Sequence, residues 1–298
     1  AAAPQVAFAM DNKGTIKMAA NNSWTVGDIK CTALLDGVFQ ADPSIISATD
    51  EAEFAELASR KTGQSGGKFN LDVNAFLLEA NGEKILIDTG TRDLYGPTLG
   101  QMSAQLAALG VTPEEINKVI LTHLHNDHTG GLTTGEGDAV FKNAELIVSE
   151  TEWDFWNDDD IYSNGSDGFK FAATGARAAS AAYKDRVRLL GNGEDVVSGV
   201  SSIPLPGHSI GHTGYRLSSG NAQMVIWGDV VVAPQVQFTH PDWASQFDSD
   251  AGNSIASRRR IFDDVAADKI PVAGMHLPTP GLGYLTAKDS HFDFEQVS

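Results

Sequence analysis

The sequence has 298 residues, of which 42% are hydrophobic and 20% charged, as in globular proteins and unlike disordered chains. Its formal net charge of -18 argues against nucleic acid or an anionic membrane as a partner, because both attract basic surfaces. The single cysteine, Cys31, excludes an intramolecular disulfide, so a metal site would depend on nitrogen and oxygen ligands. No apolar run approaches the length of a membrane span.

The first 23 residues show no sustained periodicity. We predict that residues 1–23 form an N-terminal extension and that residues 24–298 form one catalytic domain. The small residues Ala1-Ala2-Ala3-Pro4 look like the remainder of a cleaved signal peptide, so we expect an exported protein, periplasmic or secreted. A cloning remnant has the same appearance.

The first half of the chain alternates between strand-like and helical patterns. Apolar runs predict strands, and apolar residues at helical spacing predict helices. The predicted strands cover residues 29–35, 72–78, 84–87 and 118–121, and the predicted helices cover residues 49–60 and 99–109. Asn81-Gly82 predicts a tight hairpin turn, and Thr112, Pro113 and Glu115 predict a capped short helix. This alternation predicts an α/β sandwich.

Four potential metal ligands lie within six residues, directly after the apolar run Val119-Ile120-Leu121: His123, His125, Asp127 and His128. Neutral imidazole and carboxylate suit zinc and its first-row neighbours. Ligands at this spacing are too crowded for one tetrahedral ion with a working water, whereas two ions sharing the loop relieve the crowding. The structural alternative is a polar loop that happens to carry three of the chain's eight histidines.

Beyond this loop, strands are predicted at 144–149, 187–190 and 196–203, a helix or turn at 150–156 and a helix at 168–183. The later part of the chain then repeats one pattern, in which an apolar run and a small residue precede a single ligand. These ligands are His208, Asp229 and His276. One histidine after a strand is usually structural, but three repeats beside the histidine-rich loop indicate a seven-ligand site for two ions.

The order His-x-His-x-Asp-His at residues 123–128 resembles the signature of the metallo-β-lactamase superfamily. His208, Asp229 and His276 match the later ligands of that family, and Leu86-Ile87-Asp88-Thr89-Gly90 looks like its strand and turn before the metal loop. The resemblance covers residues 28–285 and implies the αββα sandwich of that fold. Asp88 would then be either a solvated turn residue or an anchor that orients a ligand histidine.

The resemblance also implies two divalent metal ions per chain, with zinc expected and manganese, cobalt or iron compatible with the ligands. His123, His125 and His208 would hold one ion, and Asp127, His128 and His276 the other, with Asp229 bridging them. A hydroxide shared between the ions is the implied nucleophile. The implied catalytic residues are Asp127 and Asp229, and Asp127 could also steer the hydroxide or protonate the leaving group. His212 is either a substitute ligand or a structural support.

Four further stretches resemble the methyl parathion hydrolase group and its lactonase and arylesterase relatives: residues 95–100, 236–238, 247–250 and 276–283. This resemblance implies an exported enzyme that uses two metals and could form a homodimer. In the well-known acyl-homoserine lactonases, a tyrosine three residues after the bridging aspartate contacts the substrate carbonyl. Val232 stands at that position here, which argues against that particular design but not against lactone hydrolysis in general.

Aromatic residues between the metal loop and His208 are candidates for pocket walls, although part of them could belong to the core: Trp153, Phe155, Trp156, Phe169 and Phe171. The residues that we predict to line the substrate pocket are Trp153, Trp156, Phe169, Phe238 and His240. Aromatic walls suit an apolar ester, a lactone or an aryl leaving group. No cluster of Arg or Lys indicates a phosphomonoester or a glutathione conjugate.

The sequence therefore predicts a two-metal hydrolase of small molecules that opens lactones or cleaves carboxyl or aryl esters, with phosphotriesters as further substrates. Organophosphate hydrolysis as the main activity is one alternative, and a true β-lactamase is another. An iron-dependent oxidoreductase of the same fold is a third, which the full seven-ligand set disfavours for the one-iron enzymes. A nuclease is disfavoured by the acidic charge.

Overall fold

The computed structural model describes residues 18–19, 21–48, 50–62, 68–191 and 193–297. Residues 1–17 of the predicted extension lie outside the described residues, and so does Thr49, the first residue of a predicted helix. The strands are, in chain order, β1 (Ser23–Val26), β2 (Ile29–Ala41), β3 (Ile46–Ser47), β4 (Phe69–Ala80), β5 (Glu83–Ile87), β6 (Lys118–Ile120), β7 (Glu145–Ser149), β8 (Val187–Leu190), β9 (Asp195–Val197), β10 (Val200–Pro204), β11 (Thr213–Ser219), β12 (Ala222–Ile226), β13 (Ala244–Ser245), β14 (Val272–Ala273), β15 (Leu282–Ala287) and β16 (Phe292–Gln296).

The helices are α1 (Glu51–Thr62), α2 (Met102–Ala108), α3 (Asn126–Thr129), α4 (Glu150–Asn157), α5 (Asp159–Asn164), α6 (Asp167–Tyr183), α7 (Pro234–Gln237) and α8 (Ala251–Asp268). Short 3-10 turns occupy Pro43–Ile45, Pro113–Glu115 and Gly130–Leu132. No helix among the described residues combines the length and apolar character that crossing a membrane requires.

Two seven-stranded sheets form the centre of the molecule. The first has the order β1-β2-β4-β5-β6-β7-β8, and the second has the order β16-β15-β14-β12-β11-β10-β9. One apolar cluster joins the facing sides of the two sheets and includes Phe76, Ile120, Tyr215 and Ile226. A second cluster packs α2, α4 and α6 on the outer side of the first sheet, and a third packs α8 on the outer side of the second. The predicted αββα sandwich is therefore confirmed.

Local signals predicted the elements of the first sheet. Asn81 and Gly82 both have positive φ, at 54° and 81°, as the tight turn between β4 and β5 requires. The Thr112 capping box forms, but it begins a single 3-10 turn, Pro113–Glu115, and no longer helix. The strand predicted at 196–203 is divided into β9 and β10, because the chain turns at Gly199 with φ +85°.

The chain also contains elements that we did not predict: β11, α8 and the hairpin of β15 and β16. α8 begins at the Asp250 cap, whose side chain accepts a hydrogen bond from the Asn253 amide. Its sequence is rich in charge, and its buried residues, such as Ile261, Phe262 and Val265, lie on one face only. A narrow apolar stripe inside a charged sequence gives a weak periodic signal.

The ligand-bearing loops follow strands that end on the same side of the sandwich. β5 and β6 run parallel in the first sheet, and β12 and β14 run parallel in the second. β10 runs in the same direction as β12, because each pairs antiparallel with β11. The segments that follow β6, β10, β12 and β14 carry the predicted ligands, and they therefore converge at one edge.

Candidate metal centre

The metal loop leaves β6 and enters the one-turn helix α3, which contains two of the four ligands, Asp127 and His128, and begins at His125 as its N-cap. Gly130 and Gly131 bring the end of this turn against the neighbouring segment. A Cβ on Gly130 would lie 2.4 Å from the Thr91 backbone, and one on Gly131 would lie 2.1 Å from the Thr89 carbonyl oxygen. The two glycines therefore permit a close backbone approach that other residues would prevent.

Three histidines form the first donor group. His123 Nε2 lies 3.0 Å from His125 Nδ1, and His208 Nε2 lies 3.1 Å from the same Nδ1 atom. His123 and His208 are buried. Three imidazole nitrogens thus face a common point, with ligand atoms within 4.8 Å of one another.

The second donor group consists of Asp127, His128, Asp229 and His276. The His276 Nε2 atom lies 3.0 Å from Asp229 Oδ2 and 3.4 Å from Asp127 Oδ2. The His128 Nε2 atom lies 3.3 Å from Asp229 Oδ2. His208 Nε2, from the first group, also lies 3.3 Å from Asp229 Oδ2. Asp229 therefore stands between the two groups, as expected of a bridging ligand.

The chemistry of these atoms fits two cations. His128 Nε2 and Asp229 Oδ1 are buried and have no hydrogen-bond partner among the described residues. In the first group, imidazole nitrogens point at one another, and neutral rings cannot all donate in that arrangement. Buried polar atoms without partners are costly, whereas a divalent ion would accept a lone pair from each of them. We therefore assign one cation to each donor group.

The two groups differ in their electrostatics. Burial lowers the pKa of His125 to about 3, and the neighbouring His208 contributes in the same direction. For His276, burial also lowers the pKa, but the charge of Asp229 and contacts with Asp127 outweigh it and raise the pKa to about 10. Burial opposes ionisation of Asp229, yet His276 and His128 hold its pKa well below the usual range. The carboxylates are thus anionic and available to cations.

Buried partners orient the outer ring nitrogens of the ligands. His128 Nδ1 lies 2.7 Å from Asp88 Oδ2, and Asp88 also accepts hydrogen bonds from the amide and hydroxyl of Thr122. His276 Nδ1 lies 2.9 Å from the Asp72 carbonyl oxygen. The position of Asp88 is that of an anchor rather than of a solvated turn residue. Such partners fix the tautomer that presents Nε2 to a metal.

His212 lies outside both donor groups and supports Asp229. Its Nδ1 atom lies 3.0 Å from the Leu205 carbonyl oxygen, and its Nε2 accepts the Asp229 backbone N–H at 2.9 Å. Burial lowers the pKa of His212 to about 3, which keeps the ring neutral. A Cβ on Gly228 would lie 2.4 Å from His212 Nε2, so glycine is needed for this contact. His212 is placed as a structural support and not as a substitute ligand.

A cavity of about 570 Å³ opens onto the donor groups, and its lining includes His125, Asp127, His208, Asp229 and His276. Aromatic and aliphatic side chains form most of its wall: Phe39, Leu71, Val73, Tyr95, Leu99, Trp156, Phe169, Phe171, Val232 and Phe247. Trp156 and Phe169 stack at 5.2 Å between ring centroids, and Trp156 also contacts His125 at 5.6 Å. Among the described residues that line the cavity there is no Lys or Arg.

The structure places only some of the predicted pocket residues in the lining of the cavity. Trp156 and Phe169 line the cavity, as does Phe171. Trp153 is half-buried and packs against the cluster of α4 and α6, away from the cavity lining. Phe238 is a correction, because it is buried between the rings of Phe262 and Phe294 in the core under α8.

His240 is a second correction among the predicted pocket residues. Its ring stacks on Trp243 at 3.9 Å between centroids, and its Nε2 lies 3.0 Å from a carboxylate oxygen of Glu53 on α1. It therefore joins α1 to the segment after α7 and does not line the cavity.

Two acidic residues that we did not predict support the site. The Asp248 side chain is buried, with one oxygen 3.0 Å from His208 Nδ1 and the other accepting the Ser245 amide. Glu152 is buried and accepts four hydrogen bonds, from the Leu124 amide, the Trp156 indole, the Ser209 hydroxyl and the Gly211 amide. The available signal for Glu152 was an acid directly before Trp153 and four positions before Trp156, but its other three partners are distant in sequence.

The comparisons with known proteins agree with this geometry. A sequence model of the metallo-β-lactamase superfamily matches residues 70–273. Among solved structures, the hydrolase AbOPH of the β-lactamase superfamily is 30% identical, with a TM-score of 0.87, over 95% of this chain and 99% of that chain. The dizinc quorum-quenching lactonase AidC is 23% identical, with a TM-score of 0.84, over 96% of this chain and 99% of that chain.

Two curated relatives are N-acyl homoserine lactonases. The one from Bacillus cereus is 26% identical over 54% of this chain and 64% of its own length. The one from Azorhizobium caulinodans, AttM, is 30% identical over 53% of this chain and 56% of its own length. The chain thus spans less than two thirds of the length of these relatives. Lactonases and metal-dependent hydrolases among the similar proteins are consistent with a hydrolase. With its fold, its seven donors and the match over residues 70–273, the chain belongs to the metallo-β-lactamase superfamily.

Proposed function

We propose that this protein is a two-metal hydrolase that opens lactones and cleaves related carboxyl or aryl esters, with zinc as the expected metal. The observation that carries the proposal is the shared Asp229 Oδ2 atom, which joins two donor groups at an apolar cavity. The lactonases among the similar proteins support the choice of a lactone. Two divalent ions would supply an activated water and polarise the carbonyl oxygen.

The cavity wall favours an uncharged substrate with an apolar group. The lining side chains Phe171 and Phe247 are 49% and 47% exposed, which places them at the rim where an acyl or aryl group would enter. A volume of about 570 Å³ is that of sites for drug-sized molecules. Because the described lining contains no Lys or Arg, an anionic group such as a phosphomonoester would find no cationic side chain there.

Within the site, the side chains of the protein bind the substrate and orient the reacting groups. Asp229 accepts no proton at neutral pH, since its neighbours hold its pKa well below the usual range. Asp127 lines the cavity and lies 3.4 Å from His276 Nε2, and His128 and His276 hold its pKa well below the usual range, so its carboxylate is anionic and can orient an attacking water. Trp156 and Phe169 exclude water from one side of the cavity and present a flat apolar face.

Phosphotriester hydrolysis is the second candidate. It is favoured by the stretches that resemble the methyl parathion hydrolase group, of which residues 95–100 and 247–250 both contribute to the lining, with Tyr95 and Phe247 among their lining residues. A neutral phosphotriester with an aryl leaving group meets the same requirements of charge and shape as an aryl ester. The two candidate activities differ in the atom that is attacked, carbon or phosphorus, and not in what they require of the cavity wall.

The test is hydrolysis of a small panel by protein loaded with zinc: an aromatic lactone, an acyl-homoserine lactone, an aryl ester and methyl parathion. A chelator-treated sample and the variant Asp229→Asn run alongside, with Asp242→Asn as the matched control. Asp242 is an exposed acid 4.0 Å from Arg259, remote from the cavity lining. We expect chelator-sensitive lactone or ester turnover that Asp229→Asn abolishes and Asp242→Asn retains. Absence of lactone and ester turnover by protein with two metals bound would overturn the proposal, and turnover of methyl parathion alone would favour the second candidate.

A further inference from the structure

The cavity contains few side chains that can donate a hydrogen bond to a bound substrate. The Thr91 hydroxyl is already occupied, because it donates to Asp36 Oδ2 at 2.7 Å. Gln246 and Ser249 are exposed to solvent. Tyr95 is the remaining hydroxyl, and it is half-buried in the wall.

Neighbouring rings hold Tyr95 in place. Its ring makes edge contacts with Phe39 at 6.1 Å and with Phe171 at 6.0 Å between centroids, and both of these residues line the cavity. Edge-to-face pairs of this kind fix the plane of each ring. A tyrosine between two such contacts retains little rotamer freedom, so its hydroxyl is positioned before a substrate arrives.

Asn126 and Asp127 connect Tyr95 to the metal loop. The Asn126 amide is fixed, because its oxygen accepts the Gly175 N–H at 2.9 Å and its nitrogen donates to the Phe171 carbonyl oxygen at 2.9 Å. The Asn126 side chain and the Asp127 carboxylate lie close enough to the phenol to interact with it, and both residues line the same cavity. The phenol is therefore placed beside the metal loop.

We propose that the Tyr95 hydroxyl donates a hydrogen bond to the carbonyl oxygen of the bound lactone or ester and stabilises the charge that develops there. When a water oxygen bonds to the carbonyl carbon, the π electron pair moves to the carbonyl oxygen, which becomes the oxyanion. The carbonyl then re-forms as the ester C–O bond breaks, and a proton from the water passes to the leaving oxygen. A donor already in place is most useful for the intermediate, in which this oxygen is anionic.

This inference rests on the proposed function, and the experiment separates the two. Tyr95→Phe removes one hydroxyl and keeps the ring contacts, and the matched control Tyr162→Phe removes a hydroxyl outside the cavity lining. Tyr162 lies under the Arg177 guanidinium at 4.5 Å, a contact that a phenylalanine ring retains. The measurements are kcat and KM for the best lactone or ester, affinity for an uncleavable tetrahedral phosphonate and for the hydroxy-acid product, metal content and Tm.

We expect Tyr95→Phe to lower kcat by about 100-fold with little change in KM, as for loss of one oxyanion donor. Phosphonate affinity should fall at least tenfold more than product affinity, while metal content and Tm match those of Tyr162→Phe. A kcat within threefold of wild type overturns the inference and leaves the proposed function standing. An equal loss of affinity for phosphonate and product also overturns it, since that indicates a general change in the cavity. If the wild-type protein cleaves no lactone or ester, the proposed function fails and the inference fails with it.

Discussion

Asp248 offers the sharpest test of how the site is assembled, because its two oxygens have different tasks. One lies 3.0 Å from His208 Nδ1, and the other accepts the Ser245 amide at 2.9 Å. Asparagine has the same shape but only one accepting atom. In Asp248→Asn the new NH₂ group must therefore face either the Ser245 amide or the His208 ring. In the second case it favours the tautomer whose Nε2 carries the proton and cannot bind a metal.

The electrostatic environment adds a second cost to this substitution. Burial raises the pKa of Asp248, but hydrogen bonding and charge from His208, together with the charge of Arg258, outweigh burial and lower it. Arg258 is itself buried, and its Nη2 lies 3.9 Å from Asp248 Oδ2. Loss of the carboxylate leaves that guanidinium with neutral hydrogen-bond partners, which are backbone oxygens and one hydroxyl, and with the exposed Asp242 as its remaining acidic neighbour. A buried charge that loses its counterion is destabilising.

We expect Asp248→Asn to weaken binding of one metal by about 10- to 100-fold, the usual effect of removing such a support, or about 1.4 to 2.7 kcal/mol. Titration against a chromophoric chelator would resolve the two binding steps, with thermal unfolding in parallel. The exposed Asp264 on α8, outside the cavity lining, gives the matched control Asp264→Asn, which should change neither quantity. If Asp248→Asn binds both metals within twofold of wild type, the assignment of Asp248 as the orienting partner of His208 is wrong.

Three further predictions concern the same site. Glu152 accepts four hydrogen bonds, and in Glu152→Gln the new NH₂ group would face donors that have lost their acceptor. The substitution should therefore lower the free energy of unfolding, measured by urea titration, by about 3 kcal/mol. At pH 7 a metal must displace a proton from His276, whose pKa is raised to about 10, but not from His125, whose pKa is lowered to about 3. Affinity at the His276 group should therefore rise with pH from 7 to 9 while the three-histidine group stays constant, and calorimetry in buffers of different ionisation enthalpy would show proton release for one ion only. Asp127→Asn should lower both turnover and metal content, and intact values of both, by kinetics and elemental analysis, would contradict a role for Asp127.

The sequence predicted those parts of the site that depend on neighbouring residues. The four donors of the metal loop lie within six residues, and the structure brings His208, Asp229 and His276 to them because their strands end at the same edge. The hairpin at Asn81 and Gly82 is likewise local. Such features are encoded within a few positions, and the periodicity of the chain exposes them.

Partners that meet only in the folded chain could not be predicted in this way. Glu152 bonds to Leu124 and Ser209, which lie 28 and 57 positions away in the sequence. Asp248 meets His208 across 40 positions, and it stands in a polar stretch that carries no periodic signal. Phe238 illustrates the opposite error, since we predicted that it lines the pocket although its ring packs in the core.

Metal binding and substrate contact depend on different parts of the chain. The ligands follow the central strands, where buried contacts from Asp88 and His212 fix them. Strands β2 and β4 contribute Phe39 and Leu71 to the wall of the cavity, but its aromatic part comes largely from segments outside the sheets, with Tyr95 before α2 and Phe169 and Phe171 on α6. Connections tolerate change better than the strands that they join. Substrate preference can therefore change through substitutions in the cavity wall while the metal ligands stay intact. The ligands thus predict the reaction type, whereas the preferred substrate has to be found by assay.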